Sequence, residues 1–216
     1  MTTTPTAPAR LPAPADPVAE VVRSEIGRLQ QGYLSDRSEA VAALARLRRG
    51  AGKDTATIPD LWGLLDTELL HTTPGTRPDE AEAAVFTAMT LYALHQQSRS
   101  TAMHCTGGDE LGAAVRRLMP PGEIDEPVRK RFVRAGSAPT LTVLAARLRE
   151  ITLLLRGEDL SLDYALLAEQ LYAWQLPGGR DRVRRSWGRS FHAHRPPKNT
   201  DAPARTPEET DQKDAS

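Results

Sequence analysis

LDYALLAEQLYAWQLPGGRDRVRRSWGRSFHAHR, residues 162–195, decides how the chain reads. Pro177-Gly178-Gly179 splits it into two helical segments, because proline cannot continue a helix and glycine suits the turn beyond one. On a wheel of about 100° per residue, Val183, Trp187 and Phe191 fall on one side of the second segment. Arg182, Arg185 and Arg189 fall on the opposite side, and Arg184 flanks the apolar stripe. A helix that buries Trp and Phe on one face holds guanidinium groups in fixed positions on the other. Guanidinium forks match phosphate oxygens in shape and charge. The face points to a non-catalytic helical module that grips a nucleic-acid backbone.

Upstream, the apolar spacing is helical nearly everywhere. After Pro17, with Asp16 as the expected cap, Val18, Val21, Val22, Ile26 and Leu29 mark a first helix. A second spans about 38–49 with Val41, Leu44 and Leu47 inward, and Arg46, Arg49 and Lys53 gather at its C-terminal end, where cations suit the helix dipole. IPDLWGLLDTELL, residues 58–70, reads as a third helix with Trp62, Leu65 and Leu69 on one side. A fourth, about 79–98, is apolar all round, as the buried centre of a bundle is, and ends at His95, expected as a hydrogen-bonded core residue. Asp109 is the expected cap of a fifth helix reaching Met119, with Arg116 and Arg117 outward. The sixth, about 126–135, buries Val128 and Phe132 and carries Arg129, Lys130, Arg131 and Arg134 on its other sides. Four cations that close repel one another unless something anionic compensates. Pro139 opens a seventh, with Leu141, Leu144, Leu148, Ile151 and Leu155 inward, Arg147 outward and Gly157 as its C-cap; Ser161 is the expected cap of the eighth. No segment alternates as a strand does. The fold class is all-α: about nine helices in one elongated domain or two small bundles, with a sub-boundary near 99–108 and no sheet. Residues 1–16 and 196–216 read as disordered tails, the first Pro/Thr-rich and the second acidic.

Composition permits this reading without demanding it. The formal net charge is zero and hydrophobic residues make up 39% of the 216. A neutral sum taken alone argues against a nucleic-acid partner. Charge is segregated, however: beyond Arg195 the tail carries Asp201, Glu208, Glu209, Asp211 and Asp214 against Lys198, Arg205 and Lys213. A phosphate at Debye-length range feels the local patch rather than the chain total. The single cysteine, Cys105, allows no intrachain disulfide and fits a reducing cytoplasm. No signal pattern opens the chain, and the best apolar run, 141–155, is broken by Arg147, Arg149 and Glu150, so no membrane span is expected.

Catalytic readings find little support. Gly107-Gly108-Asp109-Glu110-Leu111 resembles the GGDEF cyclase signature, but that motif belongs on a strand–turn–strand, and helices flank it here. Gly-Gly-Asp-Glu serves equally as a loop running into a helix cap. His104 and Cys105 lack the further ligands a zinc site needs. A Cys105 nucleophile would require His95 or His104 as its base, which leaves a hydrolase as a third and weakest hypothesis. No Gly-rich phosphate loop followed by Lys is present. Trp62, Trp174, Trp187 and Tyr92 all lie on apolar faces, so stacking platforms for bases are not visible, and binding is expected to run through phosphates. The competing class is a helical protein–protein adaptor whose arginine faces meet acidic protein surfaces.

LYALHQQS (91–98), Leu111-Gly112 with VRRL (115–118), and above all LDYALLAEQLYAWQ followed by RDRVRRSWGRSF resemble the CasB family, the small subunits of the type I-E CRISPR surveillance complex called Cascade. The likeness covers roughly 18–194, is strongest after Leu162 and is weak before Pro78. It implies an all-helical, non-enzymatic protein without cofactor or metal, present as two copies beside a large subunit and a repeated backbone subunit. It implies contact with guide RNA and with target and non-target DNA, without sequence preference, when the R-loop forms. Carried over by position, the candidate contacts are Arg116, Arg117, Arg129, Lys130, Arg131, Arg134, Arg147, Arg149, Arg182, Arg184, Arg185 and Arg189; Arg46 and Arg49 join them from the residue reading. The family often has a basic residue just after the Leu-Gly of the fifth helix, where this chain has Ala113.

Overall fold

The computed structural model describes residues 16–54, 58–61 and 63–193. They form nine α-helices: α1 (Asp16–Leu34), α2 (Ser38–Leu47), α3 (Glu68–Thr72), α4 (Pro78–Gln96), α5 (Leu111–Arg117), α6 (Glu126–Gly136), α7 (Leu141–Gly157), α8 (Tyr164–Gln175) and α9 (Gly179–Ala193). Among the described residues the one piece of extended pairing is an isolated parallel bridge between His104 and Leu162. None of these helices is long and apolar enough to cross a membrane. Both tail assignments, the Asp16 side chain that would form the cap and Trp62 fall outside what is described.

Helix α4 is the centre. Residues 87–96 are buried without interruption, because this helix packs on α1, α2, α7 and α8. One buried cluster has members on all nine helices, from Val18 through Leu155 to Phe191. A run apolar on every side can be satisfied only by neighbours on every side.

The segment 99–110 is stitched to the start of α8. Leu162 N–H donates to the Met103 carbonyl, Asp163 N–H to the Asp109 carbonyl and Tyr164 N–H to His104 Nδ1, at 3.1, 3.2 and 3.1 Å. Gln96 holds the same loop through Met103 N–H and the Thr101 carbonyl. His95 sits fully buried with Nδ1 2.9 Å from the Tyr164 hydroxyl. Its Nε2 finds no hydrogen-bond partner among the described residues. Burial lowers its pKa to about 4; the Leu155 backbone opposes it most, Arg99 and Arg156 add smaller downward pushes, and Asp159 a small upward one.

Several local expectations are corrected. The third helix does not run through 58–70. A 3-10 turn over Pro59–Leu61 is followed by Gly63 at φ 70°, and α3 begins only at Glu68. A left-handed residue cannot continue a right-handed helix. Leu70 is therefore the buried residue and Leu69 is 41% exposed. In α2 the inward set is Ala40, Leu44 and Leu47, while Val41 is 39% exposed. Helix α5 starts at Leu111 behind Glu110, and neither acid caps it. Thr140 Oγ1 caps α7, accepting from Val143 N–H. Gly157 is the last residue of that helix, and Asp159 takes the left-handed conformation beyond it. Asp163, not Ser161, caps α8: its Oδ1 accepts from Ala165 and Leu166 N–H, both at 3.0 Å, while Oδ2 accepts from Gly107 N–H at 2.8 Å.

Candidate nucleic-acid interface

Helix α9 is locked from behind. Val183, Trp187 and Phe191 are all buried. Trp187 stacks on Trp174 with centroids 5.6 Å apart, and Phe191 stacks on Phe132 of α6 at 5.4 Å. The Trp187 indole N–H donates to Gln170 Oε1 and Gln170 Nε2 donates to Glu110 Oε1, each at 2.6 Å. That relay joins α5, α8 and α9 and fixes the rotation of α9 about its axis, since a buried indole N–H left unpaired costs about 1–3 kcal/mol. Backbones also approach closely. A Cβ on Gly112 would stand 2.0 Å from the Trp187 carbonyl oxygen and 2.4 Å from Ser190 Oγ.

The outward face follows from this anchoring. Arg182, Arg185 and Arg189 are exposed. Among the described residues none of the three has a side-chain hydrogen bond or ion pair. The whole helix carries five arginines against the single Asp181, a net +4. Arg184 is held differently: Nε donates to the Gly136 carbonyl at 2.6 Å, a second nitrogen pairs with Asp181 at 3.3 Å, and the guanidinium lies 5.4 Å over the Trp174 ring.

The other candidates divide into two groups. On α6, Lys130 and Arg134 are exposed and likewise unpaired among the described residues. Arg129 is gripped by Glu126 through two hydrogen bonds of 2.8 and 2.9 Å, which hold that carboxyl below its ordinary pKa. Arg131 donates to the Pro127 carbonyl. Arg117 pairs with Asp109 at 2.6 Å, Arg147 with Glu150 at 2.9 Å, and Arg116 donates to the Pro120 carbonyl. Phe132 of α6 packs on Trp187 and Phe191, so α6 and α9 meet at these rings. Arg46 and Arg49 lie on a different part, where α2 packs on α1 and α4. Arg149 of α7 joins them there, its side chain against Gly52.

Glu110 and Gln170 are the residues that sequence reasoning missed. The acids of Gly-Gly-Asp-Glu are structural, Asp109 for Arg117 and Glu110 for Gln170. Nothing in linear spacing announces partners 8 and 60 residues apart. Cys105 is exposed, and both ring nitrogens of His104 are engaged, by Tyr164 N–H and Thr106. Burial lowers the His104 pKa, opposed by Asp163. No group of three or more metal-ligating side chains converges among the described residues.

Known proteins share both the sequence pattern and the fold. The family model described as CRISPR-associated protein Cse2 matches residues 43–192. A crystal structure of CasB from Thermobifida fusca is 51% identical, covers 82% of this chain and 98% of its own, and superposes with a TM-score of 0.75. A chain of a CRISPR RNA-guided surveillance complex, 18% identical, shares the fold at a TM-score of 0.62 over 81% of this chain and 93% of its own. A Cse2-family protein from Thermus thermophilus, 22% identical, does so at 0.57 over 83% and 97%. None of the curated proteins is significantly similar.

Proposed function

Since the chain belongs to the CRISPR-associated Cse2 family, we propose that it is the non-catalytic small subunit of a type I-E surveillance complex, binding nucleic-acid backbone without reading sequence. One observation carries the reading: Arg182, Arg185 and Arg189 stand exposed and unpaired on a helix that Val183, Trp187 and Phe191 lock from behind. Lys130 and Arg134 add exposed cations on α6. In this reading the partners are the guide RNA–target duplex, the displaced DNA strand, the large and backbone subunits and a second copy of the chain. Exchange of one duplex for another in an R-loop is nearly balanced, so a few phosphate contacts tip it.

Replacing the three arginines by alanine tests this. Removing one arginine–phosphate pair lowers the log–log salt slope of single-strand binding by about 0.7, so the triple variant should fall by about 2. R-loop lifetime in the assembled complex falls with it, while the melting midpoint stays put. An unaltered slope ends the reading. The adaptor alternative predicts no salt-dependent retention of random single-stranded DNA by either protein.

A further inference from the structure

Beside the arginine row, between α6 and α9, the surface opens into a groove of about 390 Å³ lined by Phe132, Val133, Gly136, Ser137, Arg184, Trp187 and Gly188. That is near the lower end of ligand pockets, roughly 300–1,000 Å³. Its floor is apolar. Phe132 is half-buried, Trp187 lies beneath, and Val133 is 50% exposed, the largest exposure among the big apolar side chains of the described residues.

The two walls are bare backbone. Gly188 lies in the interior of α9 and Gly136 ends α6. A Cβ at either would meet nothing within 4 Å, and neither residue has a positive φ. Neither packing nor backbone conformation within the chain therefore calls for glycine. A glycine inside a helix costs about 0.5–1 kcal/mol relative to alanine. What bare walls do provide is a slot that admits a flat guest close to the main chain.

The rim is cationic. Arg184 forms part of the groove, its guanidinium fixed by the Gly136 carbonyl and the Trp174 ring. On the wheel, Gly188 lies about 60° from Arg185 and about 100° from Arg189. The unpaired arginines thus occupy the flank next to the slot. A narrow apolar slot with cations along one edge complements a guest that is flat and apolar at one end and anionic at the other. A nucleotide within a strand has that shape: its phosphate takes the arginine and its base takes the slot.

We propose that the α6–α9 groove receives one unstacked nucleobase from the strand whose phosphates lie on Arg182, Arg185 and Arg189. This rests on the backbone-binding reading and adds to it a contact that is blind to sequence, because every base has an apolar face. It revises the expectation that no platform for bases exists. Trp174 and Trp187 stay buried; the apolar surface left for a base between the two glycines is that of half-buried Phe132 and exposed Val133.

The test compares two fluorescently labelled strands of equal length and phosphate count on the full chain, oligothymidylate and its fully abasic counterpart. Base contacts of this kind are worth a factor of about ten or more in affinity. The thymidylate strand should bind about tenfold more tightly, with the same salt slope as the abasic one. Gly188→Leu, which puts a side chain into the mouth of the slot where nothing obstructs it, should close that gap and leave the slope alone. Equal affinity of the wild type for both strands overturns the slot and leaves the phosphate reading standing on its slope. A gap that persists in Gly188→Leu overturns it too. So does a Gly188→Leu chain that binds both strands as the wild type does yet fails to enter the assembled complex, because the guest is then a protein side chain. If neither strand binds with any salt dependence, both readings fall together.

Discussion

Gly112→Ala is a severe single-methyl change, because the clash it creates is with backbone. The added Cβ would stand 2.0 Å from the Trp187 carbonyl oxygen and 2.8 Å from Phe191 N, both backbone atoms that no rotamer change can move. Restoring an ordinary contact of about 3.5 Å means parting α5 from α9 by about 1.5 Å at that point. Overpacking of this kind costs about 1–3 kcal/mol, and a backbone obstacle belongs at the upper end. Better helix propensity returns less than about 1 kcal/mol, which leaves a net loss of about 2 kcal/mol. In a domain of this size each kcal/mol moves the midpoint by about 2–4 °C, so thermal unfolding followed by circular dichroism should show a drop of about 4–8 °C. Near-ultraviolet signals should change as well, because Trp187 sits at the clash. Gly27→Ala supplies the control: nothing lies within 4 Å of its Cβ, so the same methyl in α1 should raise the midpoint slightly. If both variants stabilise, the close approach of α5 and α9 is wrong, and with it the rotation of α9 that turns its arginines outward.

Other expectations follow from single contacts. Gln170→Leu strips partners from both Glu110 and the Trp187 indole; about 1–3 kcal/mol for each unpaired group should show as a lower urea midpoint, and an unmoved midpoint would discard the relay. His95 has a native pKa of about 4 against an ordinary 6.5, so the unfolded chain binds the extra proton. Stability from this group is complete above pH 6.5 and is lost as pH falls toward 4. At about 1.36 kcal/mol per unit, some 2 kcal/mol should go between about pH 7 and 5, read from urea midpoints. His95→Gln should remove that portion of the pH dependence. Replacing Arg117, Arg129 and Arg147 by alanine subtracts the same charge as the α9 triple, but all three already have carboxylate partners. Its effect on the salt slope should be well under half that of the α9 triple, and an equal effect would mean that only total charge matters.

The helices were legible wherever apolar periodicity agreed with backbone preference. Helix α4 needed no partner information, because a run buried on all sides announces itself. The 58–70 stretch misled because Trp62, Leu65 and Leu69 keep helical spacing in the sequence while Gly63 turns left-handed between them. Spacing describes which residues want burial, and it does not reveal a chain that reverses between them. In α2 the larger Val41 outweighed Ala40 as a hydrophobe, but helix phase is set by Leu44 and Leu47 together, and that phase buries Ala40. Helix caps were misplaced by one to two residues at Asp109 and Ser161, since several polar residues in a row each suit the role and tertiary partners choose among them. Asp163 was selected because its second oxygen also holds Gly107.

The arginine face was legible for a specific reason: two aromatic anchors four residues apart leave one possible phase for α9. What could not be read was which cations are free. The partner of Arg129 is three residues away and visible as an i, i+3 pair, whereas Arg117 finds Asp109 across a helix start, eight residues back. This difference bears on function. A guanidinium already shared with a carboxylate must give up that pair before it takes a phosphate, so it adds field but little contact. An unpaired one gives up only water. On the proposed reading, the three α9 arginines therefore do more for binding than their share of the total charge suggests. Their freedom depends on acids being kept off one helix flank, where Asp181 alone intrudes and is already engaged with Arg184. On the proposed reading, a chain whose charges sum to zero holds a polyanion because α9 keeps cations and anions from meeting along that flank.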